Sequence, residues 1–414
     1  MKLIKIKNIE ILSTTPNLLG GCAVDIPEIT AESSSYYLDI VGWVLGEQQA
    51  VLEVLVMDMT EHVYARLPLN VVRPDVASYF PQVNNAAQSG FSGSVNVIGL
   101  SVPEAELFLC AVLANGVMVR FAKIALERTA LQISPNCLLQ PLLVNSIGRT
   151  GTTWLMRLLL EHERVVTYPD YPYEARIASY WLHSVLKAPA LHPPSQDLLD
   201  LVNLDWMNWQ LCLNPQPTQW FRRTYQEQLG AFCCASIDQA YLQFAQQQGK
   251  PLEQLAQHSA EPVYFAEKFG LGYVLDLLWE LYPQTREIVL VRDFRDMLCS
   301  ILKFTDKLQN QHGFGRDKQL NEEEFIQHTA ANVQLLVNSW QQRQHKSYLL
   351  RYEDLILKPE QTLSKLLAYL RLDNSPAKIT RLLEKAAKDT GYLQDHRTSS
   401  SAQAKPRLDV GKKN

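Results

Sequence analysis

Residues 141–160, PLLVNSIGRTGTTWLMRLLL, constrain this chain more than any other stretch. Leu142, Leu143 and Val144 read as a buried strand, and Leu155, Leu158 and Leu159 return at helical spacing. Between them lies a turn of Gly148, Arg149, Thr150, Gly151, Thr152 and Thr153. A strand that feeds a helix through glycines wraps backbone N–H groups around an anion. Glycine lets the backbone approach closely, and the helix N-terminus near Thr152 adds the positive end of its dipole. The stretch implies a phosphate-bearing ligand. The plainer alternative is a glycine turn that binds nothing.

The Walker pattern G-x-x-x-x-G-K-[ST] is not met. With Gly151 as its second glycine, Ser146 stands at the first and Thr152 stands where Lys is required. Arg149 is the only cation of the loop. The best second strand, Glu287–Val291, runs into Arg292 before reaching Asp293, so a magnesium carboxylate is not evident.

Residues 286–304, REIVLVRDFRDMLCSILKF, deliver Arg292 to the end of that strand, and Ser300 follows in helix-like sequence. A forked cation and a hydroxyl can converge there on a second phosphate. Farther on, Ser347–Tyr352 reads as a short strand, and an amphipathic helix is expected over Glu360–Leu372.

These three segments together resemble the PAPS-dependent sulfotransferases. GRTGTTWLMRLLLEH is similar to their 5′-phosphosulfate loop, VRDFRDMLCSILKF to their 3′-phosphate motif, and RYEDLILKPEQTLSKLLAYL to the tyrosine-containing strand and helix that follow. The segments keep the family's order over roughly residues 140–372, and Arg in the loop is closer to the tyrosylprotein and bacterial branches. Two departures stand out. Phe294 replaces a common Pro, and the tail Gly391–Asn414 lacks a closing Trp, although His396–Ser401 resembles the start of that segment.

The resemblance implies an α/β, P-loop-like parallel sheet flanked by helices. It implies transfer of a sulfuryl group from PAPS to a hydroxyl or amine, with PAP as product and no metal. Arg149 would hold the 5′-phosphate and sulfate, cradled by Thr150, Gly151, Thr152, Thr153 and Trp154. Arg292 and Ser300 would hold the 3′-phosphate; a strand-end ion pair of Arg292 with Asp296 is the alternative. Tyr352 would reach the nucleotide or be a packed core tyrosine. A general base is needed for the acceptor proton. Glu174, in an E-x-R pattern with Arg176, is preferred, and Asp170 is second by direct counting. His183, His192 and His258 lack a matching context and read as ordinary histidines. Lys268, in YFAEKFG, would stabilise the departing bridging oxygen; the alternative is a solvated Lys paired with Glu267.

Composition narrows the class further. The 414 residues are 47% hydrophobic and 20% charged, with a formal charge of −4, which gives no general pull toward nucleic acid. No apolar run reaches a membrane span, and MKLIKIKNIEIL lacks a signal-peptide core, so a cytoplasmic enzyme is expected. The cysteines are odd in number at seven and form no C-x-x-C, which argues against zinc or a disulfide framework. Cys233 and Cys234 read as small residues on a packed helix.

From about Ser35 to Leu126 the apolar period is two rather than 3.6, with six or more short strands separated by turns such as Asn115–Gly116. An all-β, sandwich-like accessory domain is expected over residues 1–130, a linker over 131–140, and the transferase domain over 141–414. Arg73–Gln82 resembles accessory domains attached to glycosyl- and sulfotransferases; such a domain would be a docking scaffold for a partner or bind a glycan. Helices are expected at Tyr180–Leu186 and Trp220–Gln248, with Trp206, Trp209 and Trp220 as aromatic surface or core. Gln309–Asn321 is a candidate lid or an ordinary surface loop. The acceptor is left open among lipid, saccharide, polyketide and peptide tyrosine. The rival classes are a magnesium-dependent P-loop kinase and a catalytically silent nucleotide-binding protein.

Overall fold

The computed structural model describes residues 2–12, 18–59, 61–131, 133, 137–187, 215–269, 274–282, 284–307 and 321–387. Trp206, Trp209, His192, most of the candidate lid and the tail from Gly391 lie outside the described residues, as does the side chain of Trp220. The chain forms two compact units. One comprises the described residues of Met1–Ser134, Leu182–Cys233 and Tyr273–Leu281; the other comprises those of Pro135–Trp181, Cys234–Gly272 and Tyr282–Asn414. Among the described residues no helix is long and apolar enough to cross a membrane.

The first unit is antiparallel β. Its elements are β1 (Ile4–Ile11), β2 (Leu19–Ile26), β3 (Glu32–Ser33), β4 (Tyr37–Gly46), β5 (Val51–Met57), β6 (Val63–Pro68), α1 (Pro74–Tyr79), β7 (Gly90–Asn96), β8 (Glu104–Leu113) and β9 (Met118–Arg128). A six-stranded sheet runs β3-β1-β9-β8-β5-β6 and a three-stranded sheet runs β2-β4-β7. Phe91 on β7 meets Phe121 on β9 edge-on at 6.1 Å, both fully buried, so the two sheets share one core. The β8–β9 hairpin turns at Asn115–Gly116, where Gly116 takes φ of +82° and the Asn115 side chain accepts from Val117 N–H. The period-two pattern read from the sequence begins near Ser35, whereas the structure adds β1 and β2 before it. LIKIKNIEI alternates apolar and polar residues, but its lysines read as a charged terminus.

The second unit is built on a five-stranded parallel sheet, in the order β11-β12-β10-β13-β14. Its strands are β10 (Gln140–Asn145), β11 (Val165–Val166), β12 (Tyr264–Phe269), β13 (Arg286–Val291) and β14 (Ser347–Arg351). The helices are α2 (Thr152–Leu160), α3 (Ile177–Lys187), α4 (Pro215–Gln247), α5 (Leu252–His258), α6 (Val274–Leu281), α7 (Phe294–Lys307), α8 (Glu322–Arg343), α9 (Tyr352–Leu357), α10 (Pro359–Leu370) and α11 (Pro376–Ala387). Of these, α6 and parts of α3 and α4 belong to the first unit.

Helices cover both faces of the parallel sheet, which is why its strands read as nearly continuous apolar runs. On one face Leu142, Val144, Ala266, Ile288 and Leu290 pack against Leu155, Leu158 and Leu159 of α2 and Leu363, Leu366 and Leu367 of α10. Each fully buried leucine is worth about 1.5–3 kcal/mol, so the α2 stripe anchors the loop that precedes it. On the other face Tyr241 of α4 stacks on Phe265 of β12, with ring centres 4.6 Å apart. Cys233 and Cys234 are both buried on α4, as expected of small residues on a packed helix.

The strand expected to run to Tyr352 ends one residue earlier. Tyr352 opens α9, because β14 has left the edge of β13 by then, where Val291 pairs with Arg351.

Candidate active site

Successive strands β10, β11 and β12 build the sheet to one side of β10, and β13 and β14 build it to the other. An open parallel sheet binds ligands at such a switch point, outside the carboxyl ends of the strands. Four strand ends deliver side chains there: the loop after β10, Lys268 near the end of β12, Arg292 just past β13, and Tyr352 just past β14.

The loop after β10 is tightly wound. Thr150 is buried, and its hydroxyl donates to Ile147 O at 3.0 Å and meets the Ser146 hydroxyl. Its side chain thus holds the turn together and does not point outward. Arg149 has φ of +68° and Gly151 φ of +97°, two left-handed residues within one short loop. Such a conformation costs a non-glycine residue roughly 1–3 kcal/mol and clusters at functional sites. Gly151 caps α2 without a side chain, so the first amides of the helix are left for another acceptor. Thr152 is half-buried, and Trp154 packs against the core under α2.

The two arginines lie together. Arg292 Nη1 donates to the Arg149 carbonyl at 3.2 Å, and its guanidinium sits 4.8 Å from the centre of the Tyr352 ring. Arg149 Nε donates to Ser300 Oγ at 3.4 Å, and its guanidinium stacks 4.3 Å from the Phe304 ring centre. Ser300 is 6% exposed, on α7. Burial pulls the Arg149 guanidinium below its ordinary value, and the neighbouring Arg292 charge pushes the same way. Arg292 Nε is buried with no hydrogen-bond partner among the described residues. A half-buried cation with one unmet donor, beside a second desolvated cation, is a donor set that fits an anion.

Lys268 and Glu174 form the other side. The Lys268 side chain shares a sheet face with Ala266 and reaches α2, where Nζ donates to Thr153 Oγ1 at 3.1 Å and to Pro172 O at 2.8 Å. It pairs with Glu174 at 3.6 Å. Burial lowers the Lys268 ammonium from its ordinary value, and Glu174 opposes that shift. Lys268 is therefore not a solvated partner of Glu267, whose side chain points to the opposite face because strand side chains alternate. Glu174 also accepts from Arg176 at 2.9 and 3.2 Å. Asp170 is exposed, and its carbonyl closes a turn by accepting from Tyr173 N–H at 2.6 Å. Of the two candidate bases, Lys268 touches Glu174.

Three neighbours of this site have no role that the sequence alone assigns. Phe304 and Tyr171 sit beside the Arg149 guanidinium. Glu267 is wholly buried, bonded to Ala178 N–H at the start of α3, whereas in the sequence it reads only as a charge partner of Lys268.

Residues 141–376 match the family model described as "Sulfotransferase family". No curated protein matches the chain. Solved structures with a match include the sulfotransferase domain from the curacin biosynthetic pathway, at 19% identity, covering 64% of this chain and 82% of that one, with a TM-score of 0.34. A retinol dehydratase in complex with androsterone and the inactive cofactor PAP matches at 15% identity, 69% and 73% coverage and a TM-score of 0.29. A sulfotransferase from Mycobacterium avium matches at 16% identity, 64% and 69% coverage and a TM-score of 0.31.

Proposed function

This chain belongs to the sulfotransferase family, and from that premise we propose that it transfers a sulfuryl group from PAPS to a hydroxyl or amine of a small-molecule, glycan or lipid acceptor, releasing PAP. The observation that carries this reading is the convergence, at adjacent strand ends, of two neighbouring arginines, Arg292 with one donor unmet among the described residues, and a Lys268–Glu174 pair. PAPS supplies an activated sulfuryl group on a phosphate leaving group.

In this reading Arg292 and Ser300 bind the 3′-phosphate. The amides at the start of α2, with Thr152 and Thr153, bind the 5′-phosphate, and Arg149 turns from Ser300 toward that charge. Gly151 leaves room for the Tyr352 ring, and that ring borders the nucleotide. Glu174 takes the proton from the acceptor nucleophile as its oxygen or nitrogen attacks sulfur in line. Lys268 faces the bridging oxygen, where negative charge grows as the sulfur–oxygen bond breaks. Oriented cations in a site screened from water are worth far more than the same charges in water. Residues 141–414 form the transferase part in this reading, with residues 1–130 as an accessory domain that docks a partner.

Calorimetry with PAP tests the donor site, and binding that disappears in Arg292→Ala is expected. Incubation with sulfur-35-labelled PAPS and an extract of host metabolites is expected to label an acceptor, with EDTA leaving the rate unchanged. Absence of PAP binding by the folded wild-type protein would overturn the proposal.

A further inference from the structure

We propose that Glu267 is a positioning residue, which sets Glu174 by clamping the start of α3; the inference rests on the reading of Glu174 as the base. Glu267 and Lys268 are consecutive on β12 and face opposite sides of the sheet. Lys268 holds the near end of the acceptor-side loop through Pro172 and Glu174. Glu267 holds its far end. Its Oε1 accepts from Ala178 N–H at 2.8 Å, in the first turn of α3, and from the Tyr241 hydroxyl at 2.5 Å. Glu174, Ala175 and Arg176 thus span the gap between two anchors borne by neighbouring residues of one rigid strand.

The physical logic is that of an anion at a helix N-terminus. Amides of the first turn lack intrahelical acceptors, and a carboxylate there meets both the amides and the dipole. Glu267 has no exposed surface, so no water stands in when its charge is lost, and in Glu267→Gln the amide oxygen offers the α3 amide and the Tyr241 hydroxyl a weaker, uncharged acceptor. One of the two ends of the loop carrying Glu174 would then be loosened, and a displacement near 1 Å costs about 100-fold in rate.

The test compares wild type, Glu267→Gln, Glu174→Gln and the double variant. Donor turnover is read with sulfur-35-labelled PAPS and 2-naphthol, counting naphthyl sulfate and free sulfate together. Glu267→Gln is expected to lower kcat at least 10-fold, leave KM for PAPS and the Kd of PAP within about twofold, and speed amide hydrogen exchange over residues 174–179. Because Glu267 acts through Glu174, the double variant is expected to be no slower than Glu174→Gln. Wild-type turnover and exchange in Glu267→Gln, or losses that multiply in the double variant, would overturn the inference. If Glu267→Gln does not fold, Tyr241→Phe, which removes one of the two donors to Oε1, carries the same comparison. If the wild type neither binds PAP nor consumes PAPS, the donor reading fails, while exchange over residues 174–179 still decides whether Glu267 holds the loop.

Discussion

The ring of Tyr352 occupies the space in which a Cβ at residue 151 would sit, so Gly151 is required twice: by its φ of +97° and by the aromatic edge packed on it. Glycine 151 to alanine therefore meets both backbone strain and overpacking, together roughly 2–4 kcal/mol. A lowered Tm by calorimetry and loss of PAP binding are expected for Gly151→Ala. Adding Tyr352→Ala is expected to recover the overpacking share and not the backbone share.

Arg292 presents a fork to the loop, with Nη1 on the Arg149 carbonyl and Nε unmet among the described residues. Lysine cannot reproduce that fork. Arg292→Lys is expected to weaken PAP binding by about 10- to 100-fold, near 1.4–2.8 kcal/mol at 1.4 kcal/mol per decade. Ser300→Ala removes one neutral hydroxyl and is expected to cost about 10-fold or less. Titration calorimetry reads both.

Lys268 and Glu174 are paired, and Asp170 stands apart in solvent. Glu174→Gln is expected to lower kcat by about 100- to 10,000-fold, the usual worth of a general base. Lys268→Met is expected to lose about 100- to 1,000-fold, on the scale of one lost transition-state donor. Asp170→Asn is expected to stay within about threefold of wild type, since an exposed carboxylate away from the reacting atoms supplies no such step. Steady-state turnover of PAPS separates the three.

Burial pushes the Glu267 carboxyl up to about 7 from 4.5, against the pull of the Tyr241 hydroxyl and the α3 amides. In the window from about 4.5 to 7 the folded protein holds a proton that the unfolded chain has lost. The stabilising contribution of this group is fully present below pH 4.5 and is lost as pH rises through about 7. Its size is on the order of 1–3 kcal/mol. Urea titrations from pH 4.5 to 7.5 are expected to give a stability curve that falls less steeply, or rises more, in Glu267→Gln than in wild type.

Much of the fold was readable because its signals are local. A strand pattern, two glycines and a helical stripe lie within residues 141–160, and backbone conformation there follows from neighbours in the chain. The same holds for the period-two strands after Ser35 and for the hairpin at Asn115–Gly116. The reading failed where one signal carried two meanings. Lysines in LIKIKNIEI read as a charged terminus, although on β1 they form the exposed face of an alternating strand. Tyr352 follows an apolar run and by sequence continues its strand, although pairing with β13 stops at Arg351.

The sequence by itself determined the kind of site: the order of the motifs and the loop chemistry identify an anion-binding transferase domain, because strand, turn and helix are encoded by adjacent residues. Only the tertiary structure decided which groups work together. It set Arg292 against the Arg149 carbonyl, chose Glu174 over Asp170 as the partner of Lys268, and turned Glu267 to the other face of the sheet. Those pairings join strand ends far apart in the chain, and their geometry comes from the parallel register of β10, β12 and β13, which no local pattern records.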